Sequence, residues 1–203
     1  LRLQAAFDNR SATPEQLRAA MVGAMDEIDS ISRMLDKLLQ IAQAESGMRR
    51  QAFAPLQWSD LASEVIELSE DLAEDENVHL TWRCEHPAPL MGDHSVLAGA
   101  LVNVLDNAIK YAGPGARITI TSRQRRISDS TDASSPPTLR SEIIVRDNGT
   151  QLNAENIPLL AQRFVRFQPD KPGHGLGLAS VRAVMRLHGG DMLLAHAAPG
   201  LQV

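Results

Sequence analysis

Apolar residues fall at Met21, Ala24, Ile28, Ile31, Leu35, Leu38 and Ala42, with spacings alternating between three and four. That pattern is a heptad seam along one long helix. Met25, Met34, Leu39 and Ile41 widen the seam, which suits a bundle of several helices better than a two-stranded coil. Thr13-Pro14-Glu15-Gln16 predicts the helix start: Thr13 caps, Pro14 fits the first helical position and Gln16 closes a capping box. The helix is expected to run to about Glu45, with Gly47 as its stop. Leu1 to Phe7 reads as the remnant of a preceding helix, joined through the polar turn Asp8 to Thr13. A hairpin of this size buries little alone, so two copies are expected to complete a four-helix bundle. The alternative is a helical pair packed on the rest of its own chain.

From about residue 49 the period changes. A short strand is expected within residues 51–58, then an acidic amphipathic helix over Ser59 to Glu76. Val78 to Trp82, Arg117 to Arg125 and Ser141 to Asp147 alternate as strands, with Ile118 and Ile120 sharing a face. Asp93 to Ala112 and Leu176 to His188 read as helices, and Asp191 to Ala195 and Leu201 to Val203 as further strands. The Ser/Asp-rich stretch Ile127 to Leu139 reads as a hairpin insertion. Strands and helices mix without regular alternation, which predicts an α+β fold with helices on one face of a sheet. Two domains follow, residues 1–48 and 49–203.

Composition narrows the function. The net charge of −5 argues against a nucleic-acid partner, and the cluster Arg123, Arg125 and Arg126 is too small to reverse that. The single cysteine, Cys84, excludes an internal disulfide framework and a thiolate zinc site, and it is expected in the core or at a sheet edge. There is no run of about 18 apolar residues, so no membrane contact is expected from these residues. Both ends read as cuts in a longer protein, one inside a helix and one inside a strand.

Three elements carry candidate chemistry. On the helix over Asp93 to Ala112, Asn103, Asn107 and Lys110 fall within about 60° of one another. Leu97, Leu101, Val104, Leu105 and Ala108 occupy the opposite side. Paired asparagines are poor helix formers, but their amide oxygens suit magnesium, and a lysine suits a phosphate. Alone, the row is equally compatible with a solvated face. Asp147-Asn148-Gly149 ends a strand with Asp147 on the face of Ile143 and Val145, where a buried carboxylate needs a donor such as the amine of adenine. Alone, it is also an ordinary turn. Gly173-His174-Gly175-Leu176-Gly177-Leu178 opens a helix and lets backbone N–H groups approach phosphate. It fits neither the dinucleotide fingerprint nor the P-loop, since no strand feeds it and no Gly-Lys-Ser/Thr follows.

In this order the elements resemble the catalytic core of bacterial sensor histidine kinases. Leu101 to Ala112 resembles the family's N box, Asp147-Asn148-Gly149 its first glycine box and Arg163-Phe164-Val165-Arg166 its F box. Gly173 to Leu178 resembles the second glycine box, and His188-Gly189-Gly190 the pattern at that helix end. The resemblance implies a Bergerat-type site for ATP and Mg2+. Asn103 would hold the metal, Asn107 and Lys110 would face the phosphates, and Tyr111 and Phe164 would lie near the nucleotide. Asp147 would read adenine and Gly149 would let the chain pass over the base. Gly173, His174, Gly175, Leu176, Gly177 and Leu178 would form the phosphate loop, and Arg166 would help position the γ-phosphate. It implies a homodimer through the helical hairpin and a response-regulator receiver domain as partner. It further implies a cytoplasmic domain of a protein anchored in the inner membrane. Two departures stand out: Gln151 replaces the second glycine of the first glycine box, and the phosphoacceptor histidine box is absent. The six histidines (79, 86, 94, 174, 188 and 196) all lie beyond the first domain. A second reading is a nucleotide-gated dimerisation module without kinase activity. Another ATPase of the same superfamily is disfavoured by the leading hairpin.

Overall fold

The computed structural model describes residues 13–46, 52–127, 138–149, 154–168, 171 and 173–203. The remnant helix, Gly47, Gln151 and most of the Ser/Asp-rich insertion lie outside the described residues. The chain divides into two units, Leu1–Gln40 and Ile41–Val203.

The first unit holds most of helix α1 (Pro14–Ser46). Its start is a reciprocal capping box. The Gln16 N–H donates to Thr13 Oγ1 (3.3 Å) and the Thr13 N–H to Gln16 Oε1 (3.0 Å), which satisfies two amides that the helix cannot pair itself. Met21, Met25, Ile28, Ile31, Leu35 and Leu39 are each half or more exposed. The expected seam is therefore an open apolar stripe in the isolated chain. The last turn of α1 belongs to the second unit, where Ile41 and Ala44 are buried.

The second unit is a layer of helices on a sheet. β1 (Ala54–Gln57) pairs antiparallel with β3 (Pro89–Gly92) as a small separate ribbon. The main sheet contains β2 (His79–Cys84), β4 (Arg117–Ile127), β5 (Thr138–Asp147), β6 (Ala195–His196) and β7 (Leu201–Gln202), in the order β2-β4-β5-β7-β6. β2 and β4 are parallel, joined by a crossover through α3 (His94–Ala112), and the remaining pairs are antiparallel. Helices α2 (Trp58–Asp75), α3 and α4 (Gly177–Leu187) bury their apolar sides against the sheet.

Register decides which sheet face they cover. Ile118 sits opposite Asp147 and Ile120 opposite Val145, and Ile118, Ile120 and Val145 are buried while Thr119, Thr121 and Ile144 are only half-buried. One face therefore takes the core and the other stays open. The strand expected at Asp191 to Ala195 is corrected. Only Ala195–His196 pairs, and Met192 and Leu194 pack on the core without a ladder partner. Apolar alternation reports burial there, not pairing. Cys84 and His79 lie on the edge strand β2 and His196 on the opposite edge strand β6, all exposed.

Leu105 is fully buried at the centre of α3. Leu105→Ala is expected to destabilise the second unit by about 3 kcal/mol, read from urea unfolding, because the cavity adds to the lost transfer energy.

Candidate functional site

The rigid frame of the site is α3. Asp93 caps it, with Oδ1 accepting from the Val96 N–H (3.3 Å) and the Ser95 hydroxyl (2.7 Å). The Asp93 backbone N–H donates to His188 Nε2 (3.1 Å), while His188 Nδ1 lies 2.8 Å from the Val184 carbonyl. The imidazole thus ties the start of α3 to the end of α4, and its ring stacks on Phe53 with centroids 4.5 Å apart. A side chain at Gly92 would meet that imidazole, which accounts for glycine there.

Along α3, Leu97, Leu101, Val104, Leu105 and Ile109 are buried, and Asn103, Asn107, Lys110 and Tyr111 are half-buried. Ala108, expected in the core stripe, is half-buried and packs against the core, and Ile109 is buried beside it. The amide row is covered by the start of α4. A Cβ on Gly177 would lie 3.1 Å from Asn107 Nδ2 and 3.9 Å from Asn103 Oδ1. Lys110 Nζ reaches Asp106 Oδ2 at 2.8 Å. Asp106 lies inside the stretch Leu101 to Ala112 but has no role in the sequence reading, although Asp and Lys four apart on a helix are readable as a pair.

At the other end of α3, Gly149 is pressed against Ala112. A Cβ there would come within 2.8 Å of the Ala112 Cα and carbonyl oxygen. The Asp147 carboxylate accepts from the Gly149 N–H (2.8 Å) and the Leu201 N–H (3.3 Å). Its donors therefore come first from the backbone, a point that alternation alone does not reveal. Burial pushes the Asp147 carboxyl above the ordinary carboxylate value, and the backbone N–H groups, Gly149 foremost, partly oppose this. Gly200 lies against the same carboxylate: a Cβ there would fall 2.8 Å from Asp147 Oδ1.

The phosphate-loop candidates divide. Gly175 has φ +66°, and a Cβ would meet the Val165 carbonyl at 2.6 Å, so only glycine fits where the loop crosses the F-box segment. The Phe164 N–H donates to the Gly175 carbonyl (2.9 Å), and Phe164 itself has φ +67° with an exposed ring. Gly173 (φ +146°) borders open space and His174 is half-buried. The side chains of Leu176 and Leu178 are buried, so any ligand contact at these two positions is confined to backbone. Arg166 is exposed and donates to the Lys171 carbonyl.

Among the described residues no group of three or more His, Cys, Asp or Glu could hold a metal ion. An all-protein cation cage is thus missing there. The donor set instead suits magnesium, which takes one or two protein oxygens and completes its shell with water and phosphate.

Residues 92–201 match the family model for histidine kinase-, DNA gyrase B-, and HSP90-like ATPases. The sensor histidine kinase CusS of Escherichia coli (strain K12) is 27% identical over 199 residues, 95% of this chain and 38% of that protein. The sensor protein IrlS of Burkholderia pseudomallei is 30% identical over 186 residues, 90% of this chain and 37% of that protein. The chain thus spans under two fifths of these curated relatives. Among solved structures, a mycobacterial sensor histidine kinase, MprB, superposes with a TM-score of 0.59 at 27% identity, covering 74% of this chain and 93% of that one.

Proposed function

Because the chain belongs to the histidine kinase-, DNA gyrase B- and HSP90-like ATPase family and carries the catalytic domain of a bacterial sensor histidine kinase, we propose that it binds ATP with magnesium and serves the nucleotide side of phosphoryl transfer. The longer protein would pass the γ-phosphoryl to a histidine and then to an aspartate of a response-regulator receiver domain.

One observation carries this reading. A single helix, α3, has Asn103 and Asn107 beside Gly177 near its middle and Ala112 against Gly149 and the Asp147 turn at its end. One rigid element would thereby join a phosphate end and a base end. Asn103 would hold magnesium, with Asn107 and Lys110 toward the phosphates. Lys110 is already oriented by Asp106, so little rotamer freedom is lost on binding. Asp147 would accept from the adenine amine, with Gly149 leaving room for the base. Tyr111 and Phe164 would lie beside the nucleotide. Gly173, His174, Gly175 and Gly177, with the backbone at Leu176 and Leu178, would approach the phosphates, and Arg166 would position the γ-phosphate. Bound magnesium would neutralise phosphate charge, and the chain's own task would be positioning.

The open apolar stripe on α1 supports a homodimer through the helical unit. Among the described residues no helix is long and apolar enough to cross a membrane. A cytoplasmic position, in a protein anchored elsewhere in its length, is the corresponding reading.

Calorimetric titration with a non-hydrolysable ATP analogue and magnesium tests the proposal, and binding is expected. Absence of heat at millimolar ligand would overturn it in favour of the dimerisation module without kinase activity. Incubation with labelled ATP is expected to leave no acid-labile label on this chain, because its first histidine is His79, on β2 rather than on α1. Stable histidine phosphorylation would contradict this expectation.

A further inference from the structure

The sheet face turned away from the helices carries an unusual set of charges. Strand alternation puts Arg83 of β2, Arg117, Arg123 and Arg125 of β4, and Arg140 and Arg146 of β5 on that side. Glu142, bonded to Arg123 at 2.8 Å, is its only acidic residue among the described positions. Arg125 and Arg140 stand directly opposite each other across the ladder. Arg146 spends its guanidinium on the Ala197 carbonyl, which leaves its charge uncompensated.

The opposite outer surface of the same unit has the reverse charge. Helix α2 carries Asp60, Glu64, Glu67, Glu70, Asp71, Glu74 and Asp75, all exposed, and no basic residue. Its apolar side, with Leu61, Val65, Ile66 and Ala73, is buried on the sheet. At 100° per residue the acids therefore line its outward side. Leu68 is 73% exposed at the margin of that row.

We propose that the open sheet face docks the acidic helix α2 of a second copy of this chain. The complementary surfaces are both present in one molecule, and their lengths agree. Arg117 to Arg125 extends about 27 Å along β4 at the usual strand rise. Asp60 to Glu74 extends about 21 Å along α2 at the usual helix rise. The guanidinium fork matches a carboxylate, and Leu68 has Ile144, Thr119 and Thr121 at the middle of the face to pack on. The two surfaces differ, so the contact is heterologous. Each copy offers a free face after joining, and association continues beyond a pair. An anionic lipid surface is the competing occupant, but it would also meet the chain's net charge of −5.

Sedimentation velocity on the 203-residue chain tests this. Species heavier than a dimer are expected at about 20 mM salt and are expected to vanish at about 0.5 M, where screening confines surface charges to a few ångström. The double variant Arg83→Glu/Arg125→Glu is expected to weaken the association roughly tenfold or more, as is Glu67→Arg/Glu74→Arg on the other surface. Mixing the two variants is expected to restore it, because each presents the charge that the other lacks. All four positions are exposed and outside the nucleotide site, so thermal melting and ATP-analogue binding are expected to stay near wild type. No growth beyond a dimer at low salt would overturn the proposal, as would growth indifferent to both variants. Arginine-dependent cosedimentation with phosphatidylglycerol vesicles, without self-association, would reassign the face to a membrane.

Discussion

Asp147→Asn is expected to lower affinity for the ATP analogue about 10- to 100-fold, the usual effect of losing a hydrogen bond to a charged group. The same variant has a pH signature. Burial raises the Asp147 carboxyl above its ordinary value in the folded chain. A raised carboxyl means that the fold holds its proton more tightly than the unfolded chain does. Ionising it therefore costs stability as pH rises through the unfolded and then the folded value. Asparagine carries no such charge, although its amide group cannot accept from both the Gly149 and Leu201 N–H groups as the carboxylate does. The melting temperature of the variant minus that of wild type is thus expected to be more positive at pH 7 than at pH 4. Calorimetry gives the affinity and thermal melts at the two pH values give the second readout. Unchanged affinity would remove Asp147 from the base-reading role, whatever the melts report.

Gly200→Ala is expected to do still more damage from outside every motif. Gly200 is buried with φ +101°, and a Cβ would fall 2.0 Å from the Asp147 carbonyl oxygen. No rotamer adjustment relieves a contact with backbone at that distance. Strain at such a φ costs about 1–3 kcal/mol and overpacking about 1–3 more. Together these are a large part of the roughly 5–15 kcal/mol that holds a domain folded. The displaced turn would also pull the Leu201 N–H from Asp147, so nucleotide binding is expected to be lost with the stability. Urea unfolding measures the first effect and calorimetry the second. Gly99→Ala is the control. It lies in α3 with open space around the Cβ position, and a gain of about 0.5–1 kcal/mol is expected from helix propensity. A Gly200→Ala variant as stable as wild type would mean that the turn can move away from Asp147.

Much of the site was readable because its chemistry is local. The 3.6-residue period separates Asn103, Asn107 and Lys110 from Leu101, Val104 and Leu105, and the helix indeed buries the second set and leaves the first half-buried. The capping box at Thr13 and Gln16 was legible for the same reason, since all its partners lie within one turn. The Asp147 turn was legible as a turn, but its nearest donor beyond Gly149 is Leu201, 54 residues away, and nothing in the local pattern announces it. His188 is similar: its partner at Asp93 is 95 residues distant, and only the folded chain brings the two helix ends together. The failed strand at Asp191 to Ala195 has the converse cause, because alternation records which side chains are buried and says nothing about a neighbouring strand.

The sequence by itself determined the helices, the core face of β4 and β5, and the order of the candidate nucleotide motifs, all properties set by neighbours within a few residues. Only the tertiary structure decided that Gly177 abuts the amides of α3, that Gly200 closes on Asp147, and that one sheet face stays open with its arginines together. Those are contacts between distant segments. They depend on packing and register, which are chosen by the whole core at once rather than by any stretch of chain.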